Sequence, residues 1–457
     1  MKKFKPLSIL LCLALLLGCL GLSANAQTDP SVLNGCHSID AAKTLAPNEK
    51  LLATSKAVIL YELKSGTMIY NWNGDARIYP SSMVKLMTTL VALEMGQLTD
   101  TVTVTRRALT GINGGKLVSG EQLTLEQLLY LTMVESANDA AAVVAEYVCG
   151  TQEAFVQLMN EKAAQLGCTG THFSNAHGLH DAGTYTTAKD LCRILETALK
   201  NETFKTLFST TTYTLAATNK NPEARQITTT NRMILQGHKK YYDSRVTGGR
   251  TGYTEEAGRC LAVTAESEGM QLLAIVMGAQ QTLEPNGLAV ESFGSFEEMK
   301  VLLDHAFENY EYRQVFLQNQ IISQHTVTGG ANDVVLVPKT ALSTVLPKGV
   351  APEELTWVYA NQNIHLTAPV EKGQVVNAIQ LWYSGMCLAQ TDLVAANAVA
   401  AGSGVRQLPS PAEDAGGRIF FIIILSLVIL GGLGFVAYRF GPQLLRRLRK
   451  LRKRRMR

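Results

Sequence analysis

Residues 79–88, YPSSMVKLMT, decide the fold because they join a β-patterned stretch to an apolar helical pattern and carry Ser82 and Lys85 three positions apart. Pro80 suits the start of a helix, where the N–H that proline lacks would have no partner. Residues three apart share one face of a helix, so the Lys85 amine can reach the Ser82 hydroxyl. A deprotonated lysine can then activate the serine as a nucleophile. The pair alone is also compatible with an ordinary exposed helix start.

The segments on either side of this stretch predict an α+β domain. Residues 57–61 and 68–72 alternate like the two strands of a hairpin. Apolar helical patterns follow, and after them come a second β-patterned block and a closing helical pattern. The helical patterns span 125–134, 138–148, 155–166 and 187–199, the β block spans 245–251, 258–266 and 270–279, and the closing pattern spans 296–308. Strands, then helices, then strands predict a mostly antiparallel sheet covered by helices.

The chain changes character after this unit, which we place at residues 27–305. Residues 306–400 contain runs rich in Val, Thr and Leu, interrupted by Gly-Gly and Pro-Lys pairs, and predict a small all-β domain. Residues 401–418 are rich in Gly and Pro and predict a flexible linker.

The N-terminus predicts export. Residues 1–26 run from a basic start through an apolar stretch to Ala24-Asn25-Ala26, which is the order of a secretory signal peptide cleaved after Ala26. The alternative is a lipoprotein signal, in which Cys19 is acylated. Export follows from either interpretation.

The C-terminus predicts a single membrane anchor. Residues 419–438 have no charged side chain and are long enough to form a helix across the hydrocarbon core of a membrane. Residues 439–457 hold ten Lys or Arg, and by the positive-inside rule this tail stays in the cytoplasm. Residues 27–417 are therefore expected to lie outside the cell membrane.

The charge of the exported part argues against a nucleic-acid partner. Residues 27–417 carry 28 basic and 38 acidic side chains, so the positive charge of the whole chain comes from its two ends. A nucleic-acid-binding domain would carry that charge on its folded surface.

The cysteines of residues 27–417 are dispersed and could form disulfides or remain as buried thiols. No metal-ligand spacing is present, and we expect neither a metal nor an organic cofactor.

Two further short segments carry candidate catalytic or binding residues. In Ser136-Ala137-Asn138 a hydroxyl and an amide could relay a proton and hold a substrate amide, although either residue could instead cap the following helix. In Arg250-Thr251-Gly252-Tyr253 a cation and a hydroxyl beside glycine suit an anionic carboxylate, although the same residues could form a simple glycine-rich turn.

Together, in this order, the three segments resemble the Ser-x-x-Lys, Ser-x-Asn and Lys-Thr-Gly set of the penicillin-recognising serine enzymes. The flanking residues are similar to those of the D-alanyl-D-alanine carboxypeptidases in particular, over about residues 50–305. The similar stretches are Tyr79–Thr88, Glu135–Ala141, Phe173–Leu179 and Thr251–Gly258. The chain departs from this pattern at Arg250, where the family commonly has lysine. The small β domain and the C-terminal anchor resemble the family in layout only.

The resemblance implies a role for each of these residues. Ser82 would be the acyl-ester nucleophile and Lys85 the general base, while Ser136 and Asn138 would assist proton transfer and position the peptide. A second group would hold the terminal carboxylate and the oxyanion, and its members are Arg250, Thr251, Gly252 and Tyr253. The reaction implied by the resemblance would remove the last D-alanine from a peptidoglycan stem peptide, and β-lactams, which mimic that terminus, would act as inhibitors.

Two other functions remain as alternatives. A β-lactamase shares the three segments, but the glutamate segment that class A enzymes use for deacylation is not found between Asn138 and Arg250. A non-catalytic penicillin-sensing or wall-binding protein would fit the unusual Arg250. His177 could suggest a Ser-His-Asp triad, but a lysine already accompanies the serine, so we interpret His177 as structural.

Overall fold

The structure is a computed structural model that describes residues 39, 43–47, 49–112, 114–284 and 290–402. The predicted signal peptide, membrane span and basic tail lie outside these residues, as does the predicted linker beyond Gly402. Among the described residues, no helix has both the length and the apolar character needed to cross a membrane.

Strands and helices follow each other in blocks among the described residues between 57 and 309, as the sequence predicts. The described helices are α1 (Val84–Met95), α2 (Leu125–Tyr130), α3 (Asn138–Cys149), α4 (Gln152–Gln165), α5 (Ala188–Ala198), α6 (Glu202–Ser209) and α7 (Gly294–Asn309). The strands of this part are β1 (Ala57–Glu62), β2 (Thr67–Trp72), β3 (Thr101–Thr103), β4 (Gln122–Thr124), β5 (Thr212–Leu215), β6 (Arg225–Thr228), β7 (Val246–Thr254), β8 (Gly258–Ser267), β9 (Met270–Ala279), β10 (Gln281–Leu283) and β11 (Val290–Phe293).

A five-stranded antiparallel sheet, in the order β2-β1-β9-β8-β7, forms the centre of this part. Successive side chains of a strand point to opposite faces, and here both faces are buried. Ile59 of β1 therefore packs with the core of α1 to α6, whereas its neighbour Leu60 packs with α7 residues such as Met299. The predicted α+β architecture, a mostly antiparallel sheet covered by helices, is confirmed.

The segment predicted as one helix over 125–134 is two elements. A capping box between Thr124 and Gln127 starts α2, and after Tyr130 the backbone widens into a π-helical turn, Leu131–Glu135. Such turns are rare and are often found at functional sites. Ser136 follows in the left-handed conformation, with φ 68°, and α3 then starts at Asn138. The helix α6 and the short hairpins β3–β4 and β5–β6 had no counterpart in the sequence-based prediction.

Over residues 310–402 the described chain contains β-strands and no α-helix, as its composition predicts. Its strands are β12 (Tyr310–Phe316), β13 (Ser323–His325), β14 (Val327–Thr328), β15 (Val334–Pro338), β16 (Leu342–Pro347), β17 (Thr356–Tyr359), β18 (Leu366–Thr367), β19 (Val375–Tyr383) and β20 (Met386–Ala395). Five of them form a sheet in the order β13-β15-β20-β19-β17. The helix α7 continues to Asn309, so the position 305/306, which we expected to separate two domains, lies inside a helix.

A second, much smaller compact unit comprises Thr326–Asp333, Leu366–Val370 and the described residues from Val399. Within it, β14 pairs in parallel with β18, and Val370 forms an antiparallel bridge with Val399.

Candidate active site

Ser82 and Lys85 meet at the start of α1, as their spacing predicts. A 3₁₀ turn, Ser81–Met83, leads directly into the helix, and the Lys85 side chain is fully buried. The Lys85 Nζ lies 3.1 Å from Ser82 Oγ and 2.7 Å from Asn138 Oδ1, and it also contacts the backbone oxygen of His177. Ser82 therefore belongs to a partly buried polar cluster around Lys85 and not to an exposed helix start.

The surroundings of Lys85 favour a neutral amine. Burial, and after it the positive charge of Arg250, hold the pKa of Lys85 well below its ordinary value, while the nearby Asp139 opposes this shift. A neutral amine has two N–H groups and one lone pair. Its two N–H groups match the oxygens of Asn138 and His177, which leaves the lone pair for the Ser82 hydroxyl. Lys85 is therefore placed to accept a proton from Ser82.

Ser136 and Asn138 do not cap α3. The residue at the N-cap position is Ala137, and no side chain caps the helix. Instead, the left-handed conformation of Ser136 brings its hydroxyl to 3.2 Å from Ser82 Oγ. The Ser136 hydroxyl contacts that of Ser82 directly. Asn138 contacts Lys85, which in turn contacts Ser82.

Arg250 is on β7, close to Ser82 and Ser136, and only 1% of it is exposed. Its two terminal nitrogens donate to the backbone oxygen of Met133, at 2.8 Å, and to Ser136 Oγ, at 2.7 Å. Burial lowers the pKa of Arg250 to about 9, which leaves it cationic at neutral pH. The two terminal nitrogens of Arg250 therefore already have hydrogen-bond partners within the protein.

Two glycines allow backbone segments to approach the nucleophile closely. A Cβ on Gly252 would lie 2.3 Å from Ser81 Oγ and 3.3 Å from the Ser82 nitrogen. A Cβ on Gly178, whose φ is +80°, would lie 2.1 Å from the Ser81 backbone oxygen. Gly178 also follows His177, whose backbone oxygen contacts Lys85. Gly178 lies in Phe173–Leu179, one of the stretches that resemble the family, but the sequence does not show that it approaches Ser81.

We expect Gly178→Ala to slow acylation of Ser82 by about 10²-fold, because a displacement of about 1 Å at the reacting groups has an effect of that size. The measurement is the rate of labelling by a fluorescent penicillin. Gly150→Ala is the matched control, since Gly150 has φ +78° but open space around its Cβ position. Gly150→Ala is expected to cost about 1–2 kcal/mol of stability with no change in labelling. Equal labelling rates in the two variants would contradict this role for Gly178.

His177 has the environment of a structural residue. Burial and the charge of Lys85 lower the pKa of its imidazole to about 4, so the ring is neutral at neutral pH. Its Nδ1 accepts a hydrogen bond from the Leu179 backbone nitrogen at 3.2 Å. The group that contacts Lys85 is the backbone oxygen of His177, whereas its ring holds the loop.

A cavity of about 490 Å³ opens beside the nucleophile. The predicted site residues that line it are Ser82, Ser136, Thr251, Gly252 and Tyr253. Thr230, which the sequence analysis did not identify, also lines the cavity, and its hydroxyl lies 2.5 Å from that of Thr251. Among the described residues β7 is an edge strand of the sheet, so one side of its backbone has no partner strand.

The sequence of this chain is similar to that of known proteins. A sequence profile of the D-alanyl-D-alanine carboxypeptidase family matches residues 43–281, and a profile of the C-terminal domain of penicillin-binding protein 5 matches residues 310–401. The chain is 31% identical to D-alanyl-D-alanine carboxypeptidase DacF of Bacillus subtilis (strain 168), over 76% of this chain and 86% of that protein. It is 30% identical to DacC of Escherichia coli (strain K12), over 74% and 83% of the two chains.

The fold is similar to that of a solved relative. The crystal structure of penicillin-binding protein 5 from Haemophilus influenzae matches with a TM-score of 0.62 and 28% identity, over 78% of this chain and 99% of that one.

Proposed function

Because this chain belongs to the D-alanyl-D-alanine carboxypeptidase family of serine peptidases, we propose that Ser82 is the residue on which it performs that family's reaction. The enzyme removes the terminal D-alanine of peptidoglycan stem peptides through an acyl-enzyme, and β-lactams acylate it in place of the substrate. The observation that carries the assignment is the contact between Ser82 Oγ and a fully buried Lys85 amine, 3.1 Å apart.

The steps of the proposed reaction follow from this contact between Ser82 and Lys85. Lys85 accepts the hydroxyl proton while Ser82 Oγ attacks the carbonyl carbon between the two D-alanines. The C–N bond then breaks, and D-alanine leaves after its nitrogen takes up a proton. Ser136, 3.2 Å from Ser82 Oγ, is the group through which that proton can pass. A water molecule then attacks the ester carbonyl carbon while Lys85 takes a proton from it. Lys85 returns that proton to Ser82 Oγ as the C–Oγ bond breaks, which releases the shortened peptide with a free carboxyl group and restores Ser82.

The remaining site residues act by position and charge. Asn138 holds the Lys85 amine, and Arg250 orients Ser136 and adds the positive charge that helps to keep Lys85 neutral. Arginine stays protonated, so Arg250 carries no proton in the reaction. Thr251, Gly252 and Tyr253 line the substrate cavity along β7. We assign the oxyanion site to the backbone N–H groups of Ser82 and Tyr253.

The cellular arrangement is part of the proposal. We propose that residues 1–26 direct export, that residues 419–438 anchor the enzyme in the membrane, and that residues 27–417 work outside it. A disulfide at Cys387 supports an oxidising compartment. We retain a catalytic domain followed by a small β domain and a linker, and move the proposed boundary between the two domains to the end of α7 at Asn309.

Release of D-alanine tests the activity. The purified enzyme is incubated with an acetylated peptide that ends in D-Ala-D-Ala, and the mass of the peptide is followed. Loss of one alanine is expected, together with a penicillin adduct on the enzyme that persists for many turnovers of peptide. Rapid hydrolysis of penicillin with an intact peptide would instead indicate a β-lactamase, and an adduct without any D-alanine release would indicate a penicillin sensor.

A further inference from the structure

Cys387, near the start of β20, is disulfide-bonded, and its partner is none of the other described cysteines. Those four are free thiols, namely Cys149, Cys168, Cys192 and Cys260. Outside the described residues the chain has cysteines at positions 12, 19 and 36. The first two belong to the predicted signal peptide, and under the lipoprotein alternative the sulfur of Cys19 carries a lipid. Cys36 is therefore the thiol that remains for Cys387 in the exported chain.

The N-terminal strap, which comprises Ile39 and residues 43–47, is docked on the catalytic domain. The Ala46 backbone N–H donates to the Ile69 oxygen of β2 at 2.8 Å. Ile39 is only 6% exposed and belongs to the hydrophobic core on the helix side of the central sheet. Cys36 precedes Ile39 by three residues, which span about 10 Å at most. Chain connectivity therefore keeps Cys36 within reach of a docked part of the chain.

The strand that carries Cys387 meets the same part of the molecule. A Cβ on Gly385, in the turn between β19 and β20, would lie 3.1 Å from Lys43 Nζ of the strap. The Thr67 hydroxyl of β2 donates to the Leu388 backbone oxygen at 3.4 Å. The strap, β2 and the start of β20 therefore converge around the half-buried Cys387. This convergence suits a disulfide, which needs two Cα atoms about 5.5–6 Å apart.

The four free thiols are poorly suited to compete for this bond. Burial raises the pKa of Cys168 to about 12 and that of Cys260 to about 11. Burial also raises the pKa of Cys149 and of Cys192. The thiolate is the form that attacks a disulfide, so these thiols are weak nucleophiles at neutral pH. Oxidation is thereby directed away from them.

We propose that Cys36 and Cys387 form a disulfide that fastens the N-terminal strap, which is docked on β2 of the catalytic domain, to the small β domain. The inference rests on the export proposed above, because the bond forms by oxidation outside the membrane. Each thiol gives up one proton and one electron as the S–S bond forms, and a protein disulfide of the thiol-oxidoreductase class takes up both and becomes a dithiol. The bond closes a loop of about 350 residues, so it strongly restricts the unfolded chain.

The first test counts thiols and maps the linked peptides in wild type. The exported full-length enzyme has six cysteines once the signal peptide is removed. Iodoacetamide in denaturant should modify four of them before reduction and six after it. Trypsin without reductant should release residues 27–43 joined to residues 373–406, a pair that separates on reduction. Six modified thiols before reduction, Cys387 joined to a different cysteine, or a bond between two copies of the chain would overturn the assignment.

The second test uses variants. Cys36→Ser and Cys387→Ser should each lower the Tm by about 5 °C or more, and the double variant should lower it no further, because either change removes the same bond. Cys149→Ser is the matched control, since Cys149 is a half-buried free thiol, and its Tm should change by less than about 2 °C. Reducing wild type with dithiothreitol should lower its Tm to that of the double variant. Additive falls in the two single variants would contradict the pairing.

Labelling by a fluorescent penicillin separates this inference from the proposed activity. The labelling rate should be unchanged in all of these variants, because no contact among the described residues joins Cys387 or the strap to Ser82 or Lys85. The thiol count and the peptide map need no catalysis. An enzyme that released no D-alanine would therefore count against the proposed activity and not against the disulfide.

Discussion

Replacing Ser82 with alanine is expected to abolish both D-alanine release and labelling by a fluorescent penicillin, with a fall in kcat of about 10⁶-fold, as for the nucleophile of a serine protease. The reason is that Ser82 Oγ is the atom that lies 3.1 Å from the Lys85 amine and 3.2 Å from the Ser136 hydroxyl. The measurement is single-turnover acylation together with the peptide assay.

Ser81→Ala is the matched control for this variant. Ser81 is the neighbouring hydroxyl, but its Oγ donates to the Pro80 backbone oxygen at 2.6 Å and has no contact with Lys85 among those described. Ser81→Ala should therefore retain acylation. If Ser82→Ala were still labelled, or if Ser81→Ala lost labelling while Ser82→Ala kept it, the assignment of the nucleophile would be wrong.

Replacing Lys85 is expected to have the second largest effect. Lys85→Arg keeps a positive charge but cannot supply a neutral base, and we expect acylation to slow by about 10³-fold or more, within the range for loss of a general base. Acylation by wild type should also decline as the pH is lowered, because the amine must be neutral to accept the Ser82 proton. The pKa of Lys85 is well below its ordinary value, so the decline should occur on the acid side of the ordinary titration range of lysine.

Lys85→Met separates the catalytic role of this residue from its effect on stability. In the unfolded chain lysine keeps its ordinary pKa, so between the depressed native value and that value the unfolded state binds one more proton. Burying Lys85 as a neutral amine therefore costs stability at neutral pH. Lys85→Met should raise the Tm while abolishing acylation. A lower Tm, with acylation independent of pH in wild type, would show that Lys85 is a charged structural residue.

The sequence predicted the sheet, the principal helices and the three segments that meet at the site, because each depends on local periodicity or on short spacings. The distance between Ser82 and Lys85 follows from one turn of helix. What the sequence could not predict depends on tertiary contacts. The left-handed conformation that points Ser136 at Ser82 follows a π-helical turn within an apparently uniform helical pattern.

Arg250 shows the same limit from the opposite direction. Its residue type and its place before Thr251 and Gly252 suit a carboxylate ligand. Only the structure shows that Arg250 is buried and that its two terminal nitrogens donate to the Met133 backbone oxygen and to Ser136 Oγ. Residues 245–251 predicted a strand, but not which of its side chains would face the cavity.

The most direct test of the central claim, that Lys85 activates Ser82 for acylation, is to locate the penicillin adduct by peptide mass spectrometry. Trypsin cleavage after Arg77 and Lys85 releases residues 78–85, which contain both Ser81 and Ser82. We predict one penicilloyl group per chain in wild type, carried by this peptide and assigned to Ser82 by fragmentation. In Lys85→Met, where trypsin releases residues 78–106 instead because the cleavage site at position 85 is lost, we predict no penicilloyl group. An adduct on Ser81, on Ser136 or on any other residue, or one that forms at the wild-type rate in Lys85→Met, would contradict the account.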